Sequence, residues 1–268
     1  MSKVVFITGI SSGFGKDTSS YLAQKGYKVY GTCRKACEHD PLVNILYLDV
    51  TDSVAVEKCI NQVLEKEGKI DVLINNAGMH TGGAIEVASY EDIRLQMETN
   101  FMGIIHTIKS VLPAMRKQAK GTIVNIGSIG GLMGLPFQGF YSASKFAIEG
   151  LSEVLRMELR QFNIKIVVIN PGDFNTNNTV NRINIFKTDI NKAYEEQFRK
   201  TLTIIENDEN RGWKPEILAR KIYKILQKKR PANRYVIASF EQKLAVVVKR
   251  ILPGSWFDAI LRGHYGIK

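Results

Sequence analysis

A tyrosine and a lysine four residues apart are the side chains of this sequence best suited to proton chemistry. They belong to the motif "YSASK", Tyr141 to Lys145, in a segment whose apolar spacing predicts a helix over residues 141–161. Residues four apart share one helix face, so we expect the lysine ammonium beside the phenol. An ammonium favours the phenolate and brings a pKa that is ordinarily about 10 toward the neutral range. The pair predicts a general acid in one direction of a reaction and a general base in the other.

A serine and an asparagine are candidate partners of this pair. Ser128 closes the motif "NIGS" at the end of a predicted strand, where ligands bind in open α/β sheets. Its hydroxyl could hydrogen-bond a carbonyl oxygen while Tyr141 gives or takes the proton. Asn100 lies within a predicted helix. Each residue has a structural alternative. Tyr141 could be a half-buried helix tyrosine, Ser128 a strand terminator, and Asn100 a helix kink or cap. Their joint occurrence in this order favours catalysis.

A glycine-rich turn comes earlier in the chain, where "TGISSGFG", residues 8–15, follows an apolar run. Free N–H groups and the positive end of a helix dipole at such a turn attract a phosphate. Gly9 permits the tight turn, Gly13 lets the backbone approach a pyrophosphate, and Gly15 allows the helix to pack closely. Two hydroxyl donors stand between them, Ser11 and Ser12. The spacing departs from G-x-G-x-x-G, so an ordinary strand–helix loop is the alternative.

The elements that must position these residues alternate along the chain. Short apolar runs typical of buried strands occur at residues 4–8, 28–32, 45–49, 72–75, 122–126 and 165–169, and a last one at 234–238. Segments with helical spacing lie between them. This alternation predicts a doubly wound parallel sheet of the Rossmann type, with about seven strands and helices on both faces. No linker marks a boundary, so we expect a single domain over residues 1–268, although residues 173–212 are only partly periodic.

Composition limits the class of protein. A chain of 268 residues with 44% apolar residues can form one sizeable core. The start lacks a signal-peptide pattern, and no apolar run reaches the roughly 18 residues of a membrane span, so we expect a cytoplasmic location. Cys33, Cys37 and Cys59 match no disulfide or zinc spacing, and we expect reduced thiols. The four histidines form no metal-binding motif, so no metal site is expected.

An ordered set of short motifs adds a family resemblance. The chain shows "LDVTD" at residues 48–52, "NNAG" at 75–78, Asn100, "NIGS" at 125–128, "YSASK" at 141–145 and "NPGDFNT" at 170–176. In this set the sequence resembles the short-chain dehydrogenases/reductases, across about the first 180 residues and loosely beyond. The resemblance implies an oxidoreductase that interconverts a ketone or aldehyde and its alcohol by hydride transfer with a nicotinamide cofactor. It also implies that Lys145 holds the nicotinamide ribose and that Asn100 organises a water-linked proton relay.

The resemblance also implies which residues line the cofactor cleft. Asp49 and Val50 flank the adenine. The middle of the cleft is lined by Asn76, Ala77 and Gly78. The nicotinamide carboxamide is contacted by Pro171, Gly172, Phe174 and Thr176. Tyr141 and Lys145 belong to both the catalytic and the cofactor-binding sets. Phe14, in the glycine turn, and Phe174 are larger than the residues common in the family at these places. These two departures leave the catalytic assignment intact.

The end of the second predicted strand bears on the choice of cofactor. It reads "VYGTCRKA", with Cys33 where the NAD-dependent members of the family carry an acid, and Arg34 next to it. A guanidinium can pair with a 2′-phosphate, and no carboxylate is present to repel that phosphate. The sequence therefore favours NADP(H). The alternative is that Arg34 is a solvated loop residue and that NAD(H) is accepted as well.

Substrate and partners are less defined. The resemblance implies that the substrate pocket is formed by residues 173–212, as a lid, and by the stretch "GGLMGLPFQGF", residues 130–140. The second stretch is apolar and therefore predicts a lipophilic carbonyl substrate; core packing is its alternative. The basic and aromatic tail, residues 239–268, is expected to close the cleft or to pack on a neighbouring subunit, with docking on an anionic membrane as a less favoured alternative. The resemblance suggests a homodimer or homotetramer, and no nucleic-acid-binding module is recognised. A cofactor-binding sensor or scaffold without turnover is the alternative function, which the intact tyrosine and lysine disfavour.

Overall fold

A seven-stranded parallel sheet forms the centre of the molecule. The computed structural model describes residues 2–38, 40–176, 182–185 and 191–267. The strands of the sheet are β1 (Val4–Ile7), β2 (Lys28–Cys33), β3 (Val43–Tyr47), β4 (Val72–Asn75), β5 (Gly121–Ile126), β6 (Ile164–Pro171) and β7 (Arg234–Ile237). They lie in the order β3-β2-β1-β4-β5-β6-β7. The strand order reverses beside β1, which opens a crevice at the carboxyl ends of the strands. The prediction of a doubly wound parallel sheet is confirmed.

Helices cover both faces of the sheet. In the described residues they are α1 (Gly13–Gln24), α2 (Ser53–Glu67), α3 (Tyr90–Met97), α4 (Gly103–Lys117), α5 (Gly139–Glu158), α6 (Asn191–Asn210), α7 (Pro215–Leu226), α8 (Phe240–Ile251) and α9 (Gly254–Tyr265). Side chains of α2, α4 and α5 form one apolar core with the sheet, and side chains of α1 and α7 form the other. Alternate residues of one strand enter opposite cores: Phe6 packs in the first and Ile7 in the second. Both faces of the five inner strands, β2, β1, β4, β5 and β6, are mostly buried, which explains their continuous apolar sequences. The edge strands β3 and β7 are mostly half-buried.

Local signals in the sequence explain where elements begin and end. Asp52 caps α2, where its carboxylate accepts hydrogen bonds from the backbone N–H groups of Val54 (3.0 Å) and Ala55 (2.9 Å). Gly68 ends that helix with φ of +71°, a left-handed conformation that favours glycine. The predicted helix over residues 141–161 begins two residues earlier, at Gly139, and ends at Glu158.

A second, smaller pairing lies beyond the main sheet. Thr81–Gly82, shortly after β4, pairs in parallel with Ile183–Asn184. Between α3 and α4 the chain makes one π-helical turn, Glu98–Met102, and this turn contains Asn100. π turns inside helices occur frequently at functional sites.

Two of the three cysteines form a disulfide, so the expectation of reduced thiols is wrong for Cys33 and Cys37. Cys33 ends β2, and the loop after it turns back so that the two Cα atoms are 6.8 Å apart. Bonded cysteines usually have Cα atoms roughly 4.4–6.8 Å apart. The spacing of four residues did not reveal this turn. Cys59 is free and buried in α2, where burial raises the pKa of its thiol to about 11.

Across the ranges described above, no helix combines the length and the apolar character that crossing a bilayer requires.

Candidate active site

One cleft of about 560 Å³ runs along the carboxyl edge of the sheet and brings together nearly all of the predicted site residues. Those that line it are Gly9, Ser11, Ser12, Gly13, Phe14, Arg34, Asp49, Val50, Asn76, Ala77, Gly78, Ser128, Tyr141, Lys145, Pro171, Gly172, Phe174 and Thr176. Gly15 and Asn100 lie behind its wall. The predicted residues therefore meet in space although they are spread over most of the chain.

The glycine turn forms one end of this cleft. Gly9 and Gly13 have φ of +70° and +54°, and a Cβ at Gly9 would lie 2.7 Å from the Cα of Ala77. A Cβ at Gly15 would lie 2.1 Å from the carbonyl oxygen of Gly9, so this glycine allows α1 to start directly against the turn. Asn76 donates to the same carbonyl oxygen at 2.8 Å. The glycines leave the backbone of the turn exposed to the cleft, and the start of α1 lies beside it. This arrangement of backbone N–H groups fits the pyrophosphate of a dinucleotide.

The end of β2 forms the outer part of the cleft. Thr32, Cys33 and Arg34 line it there, opposite Asp49 from the end of β3. Asp49 is held in place by Thr51, whose backbone N–H (3.0 Å) and hydroxyl (2.8 Å) both donate to its carboxylate. Arg34 is exposed and forms no ion pair with any residue that the structure describes. Its guanidinium is therefore available to an anionic group.

Ser128 and Tyr141 form a hydrogen-bonded pair in the middle of the cleft. The Oγ of Ser128 accepts a hydrogen bond from the backbone N–H of Gly130 at 3.0 Å. This hydrogen bond uses a lone pair of the hydroxyl and not its proton, so the proton can point to Tyr141. This donation lowers the pKa of the phenol, but burial and the carboxylates of Glu209 and Asp173 raise it, and the net shift is upward. Tyr141 is therefore a protonated acid at neutral pH.

The net shift in the pKa of Tyr141 is upward although Lys145 lies nearby, which corrects the lowered pKa expected from the sequence. Its ammonium lies 5.8 Å from the centroid of the Tyr141 ring and donates to the carbonyl oxygen of Ile126 at 2.9 Å. The buried site also weakens the charge itself, because desolvation lowers the pKa of Lys145 to about 8. The physical reason for the difference is thus burial, which acts on both groups and which the spacing of four residues does not reveal.

His80 packs against the phenol, and the sequence analysis did not identify it as a site residue. Its ring is stacked on that of Tyr141, with centroids 4.1 Å apart and an interplanar angle of 27°. Arg182 donates from Nε to Nδ1 of His80 at 3.4 Å, and Gln138 forms a side-chain hydrogen bond with the imidazole. Burial, helped by the positive charge of Arg182, lowers the pKa of His80 to about 3. The imidazole is therefore neutral and holds the ring of Tyr141 in place.

Asn100 is fully buried in the π turn behind the cleft wall. Its Oδ1 accepts from the N–H of Met79 at 2.8 Å, and its Nδ2 donates to the carbonyl oxygen of Met79 at 3.0 Å. Nδ2 also donates to the hydroxyl of Ser144 at 3.1 Å. The amide thus ties the residue before His80 to the helix that carries Tyr141 and Lys145. Asn100 therefore holds these two segments together and does not itself line the cleft.

A buried chain of polar groups also fixes the strand end at Ser128. Asn170 on β6 donates to the carbonyl oxygen of Ser128 (2.9 Å) and to Oε1 of Glu149 (2.7 Å). Oε2 of Glu149 in turn accepts from Nε of Arg234 on β7 at 2.9 Å. Buried polar groups need such partners because an unpaired one is costly. Three elements therefore hold the backbone at Ser128 in a fixed position.

The far end of the cleft is acidic, which the sequence did not predict. Asp173, Asp208 and Glu209 line it together with Tyr265 of α9. Glu209 forms a buried ion pair with Arg182, and Asp173 accepts a hydrogen bond from Gln242 of α8. Burial, followed by the charges of Asp208 and Glu209, raises the pKa of Asp173 to about 6. Because Glu209 is already paired with Arg182, Asp173 and Asp208 are the carboxylates that make this end of the cleft suited to a cationic group.

The missed residues differ in the signal that they left in the sequence. His80 stands two residues after "NNAG", Asp173 directly follows "NPG" and Gln138 stands three residues before Tyr141, so their neighbours marked the right edge of the sheet. Asp208 and Glu209 belong to a polar helix with no motif. Within the described residues, no three His, Cys, Asp or Glu side chains converge on a possible metal site.

Fold and cleft together define an enzyme that binds a dinucleotide at the carboxyl edge of a doubly wound sheet. A sequence model of the short chain dehydrogenases matches residues 3–184. The chain is 46% identical over 266 residues to the 3-ketodihydrosphingosine reductase of Bacteroides thetaiotaomicron, with 99% of each chain covered. It is also similar to two solved structures. A short-chain dehydrogenase from Streptomyces avermitilis shows a TM-score of 0.84 at 28% identity, with 98% of this chain and 99% of that chain covered. The NADP-bound structure of ElxO shows 0.71 at 27% identity, with 89% and 97% covered.

The chain belongs to the short chain dehydrogenase family. It is therefore an oxidoreductase, and the cofactor that fits its cleft is a nicotinamide dinucleotide. The family resemblance and the cofactor type expected from the sequence are confirmed.

Proposed function

We propose that this enzyme reduces a long-chain ketone that carries an amino group on the carbon next to the carbonyl, with NADPH as the reductant. The observation that carries the proposal is the position of the acidic residues. Asp173 and Glu209 are close enough to Tyr141 for their charges to raise its pKa. A substrate held between the phenol and these carboxylates needs a carbonyl oxygen and, near it, a cation.

The roles of the catalytic residues follow from their protonation states. When bound, the reduced nicotinamide supplies the hydride that reaches the carbonyl carbon. Tyr141, protonated at neutral pH, donates its proton to the carbonyl oxygen, so that one hydride and one proton convert the ketone into the alcohol. Ser128 turns its hydroxyl from the phenol to the carbonyl oxygen and polarises it. The ammonium of Lys145 stabilises the phenolate that remains and holds the nicotinamide ribose.

The amino group of the substrate is inferred from charge. The relative from Bacteroides thetaiotaomicron is named for 3-ketodihydrosphingosine, which is a long-chain ketone with an adjacent amine that is protonated at neutral pH. A cation at Asp173 and Asp208 would relieve the repulsion that raises the pKa of Asp173. Apolar side chains of the same cleft, Leu135, Ile183 and Ile205, suit the alkyl chain.

NADPH is the proposed form of the cofactor because of the residues at the end of β2. Arg34 lines the cleft and is exposed, and Cys33 stands where an acid would repel a 2′-phosphate. The similarity to ElxO, whose structure contains NADP, supports the same choice.

The walls of the substrate end suggest how it closes. We propose that residues 173–212, of which 177–181 and 186–190 lie outside the described part of the chain, form a substrate lid, and that the tail over residues 239–268 closes against it within the single domain. Ile205 and Glu209 of α6 and Tyr265 of α9 line the cleft, and the hydroxyl of Thr201 donates to the carbonyl oxygen of Tyr265 at 3.3 Å. These contacts couple the lid to the tail. A sensor or scaffold without turnover has no observation in its favour.

We also propose that the enzyme forms a homo-oligomer through α5. Phe146, Val154 and Met157 are exposed and share one side of this helix. Sedimentation velocity checks this: we expect a dimer or tetramer, and Val154→Ser/Met157→Ser should weaken it.

Three ketones of matched chain length test the proposed substrate. We expect 3-ketodihydrosphingosine to be reduced with kcat/KM at least about tenfold above that of its N-acetyl derivative and of the ketone without the amine. Asp173→Asn should remove most of this difference because a neutral amide no longer pairs with the ammonium; charge-assisted hydrogen bonds contribute about 1.5–3 kcal/mol. Asp258→Asn, on the exposed surface of α9, is the control. Equal rates for the three ketones would contradict the proposal.

A further inference from the structure

The positive charge of the chain is concentrated in its last fifth. Residues 214–268 contain thirteen Lys and Arg against three Asp and Glu, a net charge of +10 of the +11 carried by the whole chain. Residues 1–213 are thus almost neutral. Such an asymmetry is typical of a surface that meets an anionic partner.

Helix α8 exposes a row of large apolar side chains within this basic segment. Phe240, Leu244, Val247 and Ile251 are 76%, 49%, 50% and 73% exposed. Their spacing of four, three and four residues places them on one side of the helix. The helix meets the core through another side, where Val246 is buried against a cluster that includes Met133. The exposed row is therefore a second apolar face that the fold does not use.

Helix α9 continues this surface. Trp256 and Ile260, four residues apart, are 65% and 51% exposed, while Phe257 between them is buried. Lys249 of α8 lies 5.2 Å from the centroid of the Phe257 ring, which fastens the two helices together. We call the exposed side chains of both helices the apolar surface: Phe240, Leu244, Val247, Ile251, Trp256 and Ile260. Basic residues stand next to its members in the sequence, namely Lys243 and Arg250.

We propose that the apolar surface docks the enzyme on a bilayer that contains anionic phospholipids. An interfacial helix needs an apolar side, basic residues beside it and aromatic side chains that lie at the level of the headgroups. Helices α8 and α9 have all three: the apolar surface, basic residues beside it, and Phe240 and Trp256 as the aromatic side chains. The basic segment supplies the attraction to anionic headgroups.

Charge favours a bilayer over the other possible occupants. A second copy of the chain on this surface would bring two net positive surfaces together, since residues 240–268 carry five Lys and Arg against two Asp and Glu, and this like charge opposes a symmetric contact. A nucleic acid would satisfy the basic residues but would leave six large apolar side chains in water. An anionic bilayer pairs with the basic residues and also removes the apolar side chains from water.

Docking here places the membrane beside the active site. Gln242 of α8 hydrogen-bonds Asp173, and Tyr265 of α9 lines the cleft. The two helices that carry the apolar surface are thus also part of the wall at the acidic end of the cleft. A lipophilic substrate can pass from the bilayer to the cleft over a short path. The docking argument itself rests on charge and exposure and does not depend on the identity of that substrate.

Co-sedimentation of the full chain with vesicles tests the proposal. One set of vesicles contains phosphatidylcholine alone and the other also contains phosphatidylglycerol. We expect binding to the mixed vesicles at least about tenfold tighter than to phosphatidylcholine, and weakening with added salt. Phe240→Ser/Ile251→Ser should lose about tenfold in affinity for the mixed vesicles. Lys243→Ala/Arg250→Ala should lose the preference for them. Leu42→Ser/Tyr47→Ser, which replaces exposed apolar residues elsewhere, should bind as the wild type does.

Several results would overturn the proposal. They are no binding to the mixed vesicles at low salt, unchanged binding of Phe240→Ser/Ile251→Ser, and a change of that variant's oligomeric state without vesicles, which would assign the surface to a second copy. Binding to double-stranded DNA that matches the vesicle affinity would also do so. Reduction of a short, water-soluble ketone should be unchanged in the docking variants, which shows that they fold and separates this proposal from the proposed function.

Discussion

The imidazole of His80 is stacked on the phenol of Tyr141, with ring centroids 4.1 Å apart. The two residues come from different elements, since His80 follows β4 and Tyr141 lies at the start of α5. Lys145 lies 5.8 Å from the centroid of the same phenol ring. The phenol of Tyr141, the proposed proton donor, is therefore held by neighbours from both its own helix and the edge of the sheet.

Loss of this stacking should slow the reaction without affecting the cofactor. We expect His80→Ala to lower kcat about tenfold, because a misplaced catalytic group costs rate even when binding is intact. KM for NADPH should stay the same. His80→Phe keeps an aromatic ring against Tyr141 and should recover most of the rate. Since the pKa of His80 is about 3, neither variant should change the pH profile above about pH 5; a shifted profile would indicate that His80 takes part in proton transfer.

The rate of ketone reduction should fall above about pH 8. Burial lowers the pKa of Lys145 to about 8, so its charged form is present below that pH and is lost above it. The charged form is the one that stabilises the phenolate of Tyr141 after proton donation. A pH profile of kcat at saturating substrate measures this descending limb. Lys145→Arg, which keeps its charge, should be slower but should lack the limb, and a wild-type plateau that extends to about pH 10 would contradict the assignment.

Arg34 should determine the choice of dinucleotide. Hydrogen bonds to charged groups contribute about 1.5–3 kcal/mol, so we expect Arg34→Ala to raise KM for NADPH about ten- to hundredfold. KM for NADH should be unchanged because the ribose of NADH carries no 2′-phosphate. Steady-state kinetics with both cofactors measure this, with Lys35→Ala as the neighbouring control. Equal effects on NADPH and NADH would mean that Arg34 is a solvated loop residue.

A methyl group at the glycine turn should be far more costly than one elsewhere. In Gly15→Ala the new Cβ would lie 2.1 Å from the backbone oxygen of Gly9, and overpacking of this kind costs about 1–3 kcal/mol. Binding of NADPH should weaken as well, because α1 must move away from the turn. Gly263→Ala, in α9, is the matched control, since nothing lies within 4 Å of its Cβ; this exposed helix position should gain about 0.5–1 kcal/mol. Thermal unfolding compares the two, and equal stabilities would refute the account of the turn.

The sequence predicted the fold because the strands are buried on both faces and therefore read as continuous apolar runs. It predicted most of the cleft because most of the motifs stand at the carboxyl end of a strand, and parallel strands bring these ends to one edge. Both signals are local, so a single sequence contains them.

Contacts between distant segments could not be predicted in the same way. His80 meets Arg182 because Thr81–Gly82 pairs with Ile183–Asn184 across about a hundred residues of chain. The upward shift in the pKa of Tyr141 depends on burial and on Glu209, neither of which the motif "YSASK" reports. The bond between Cys33 and Cys37 depends on how one loop turns. Each of these features is set by tertiary packing.

Replacement of the proton donor tests the central claim most directly. Tyr141→Phe keeps the ring that stacks on His80 and removes only the hydroxyl, and general acid catalysis contributes about 10²–10⁴-fold. We expect kcat for 3-ketodihydrosphingosine with NADPH to fall by at least about a hundredfold, while NADPH binding, followed by its fluorescence, changes far less because the remaining cofactor contacts are intact. A variant that keeps kcat within about tenfold of the wild type would contradict the assignment of Tyr141 as the acid.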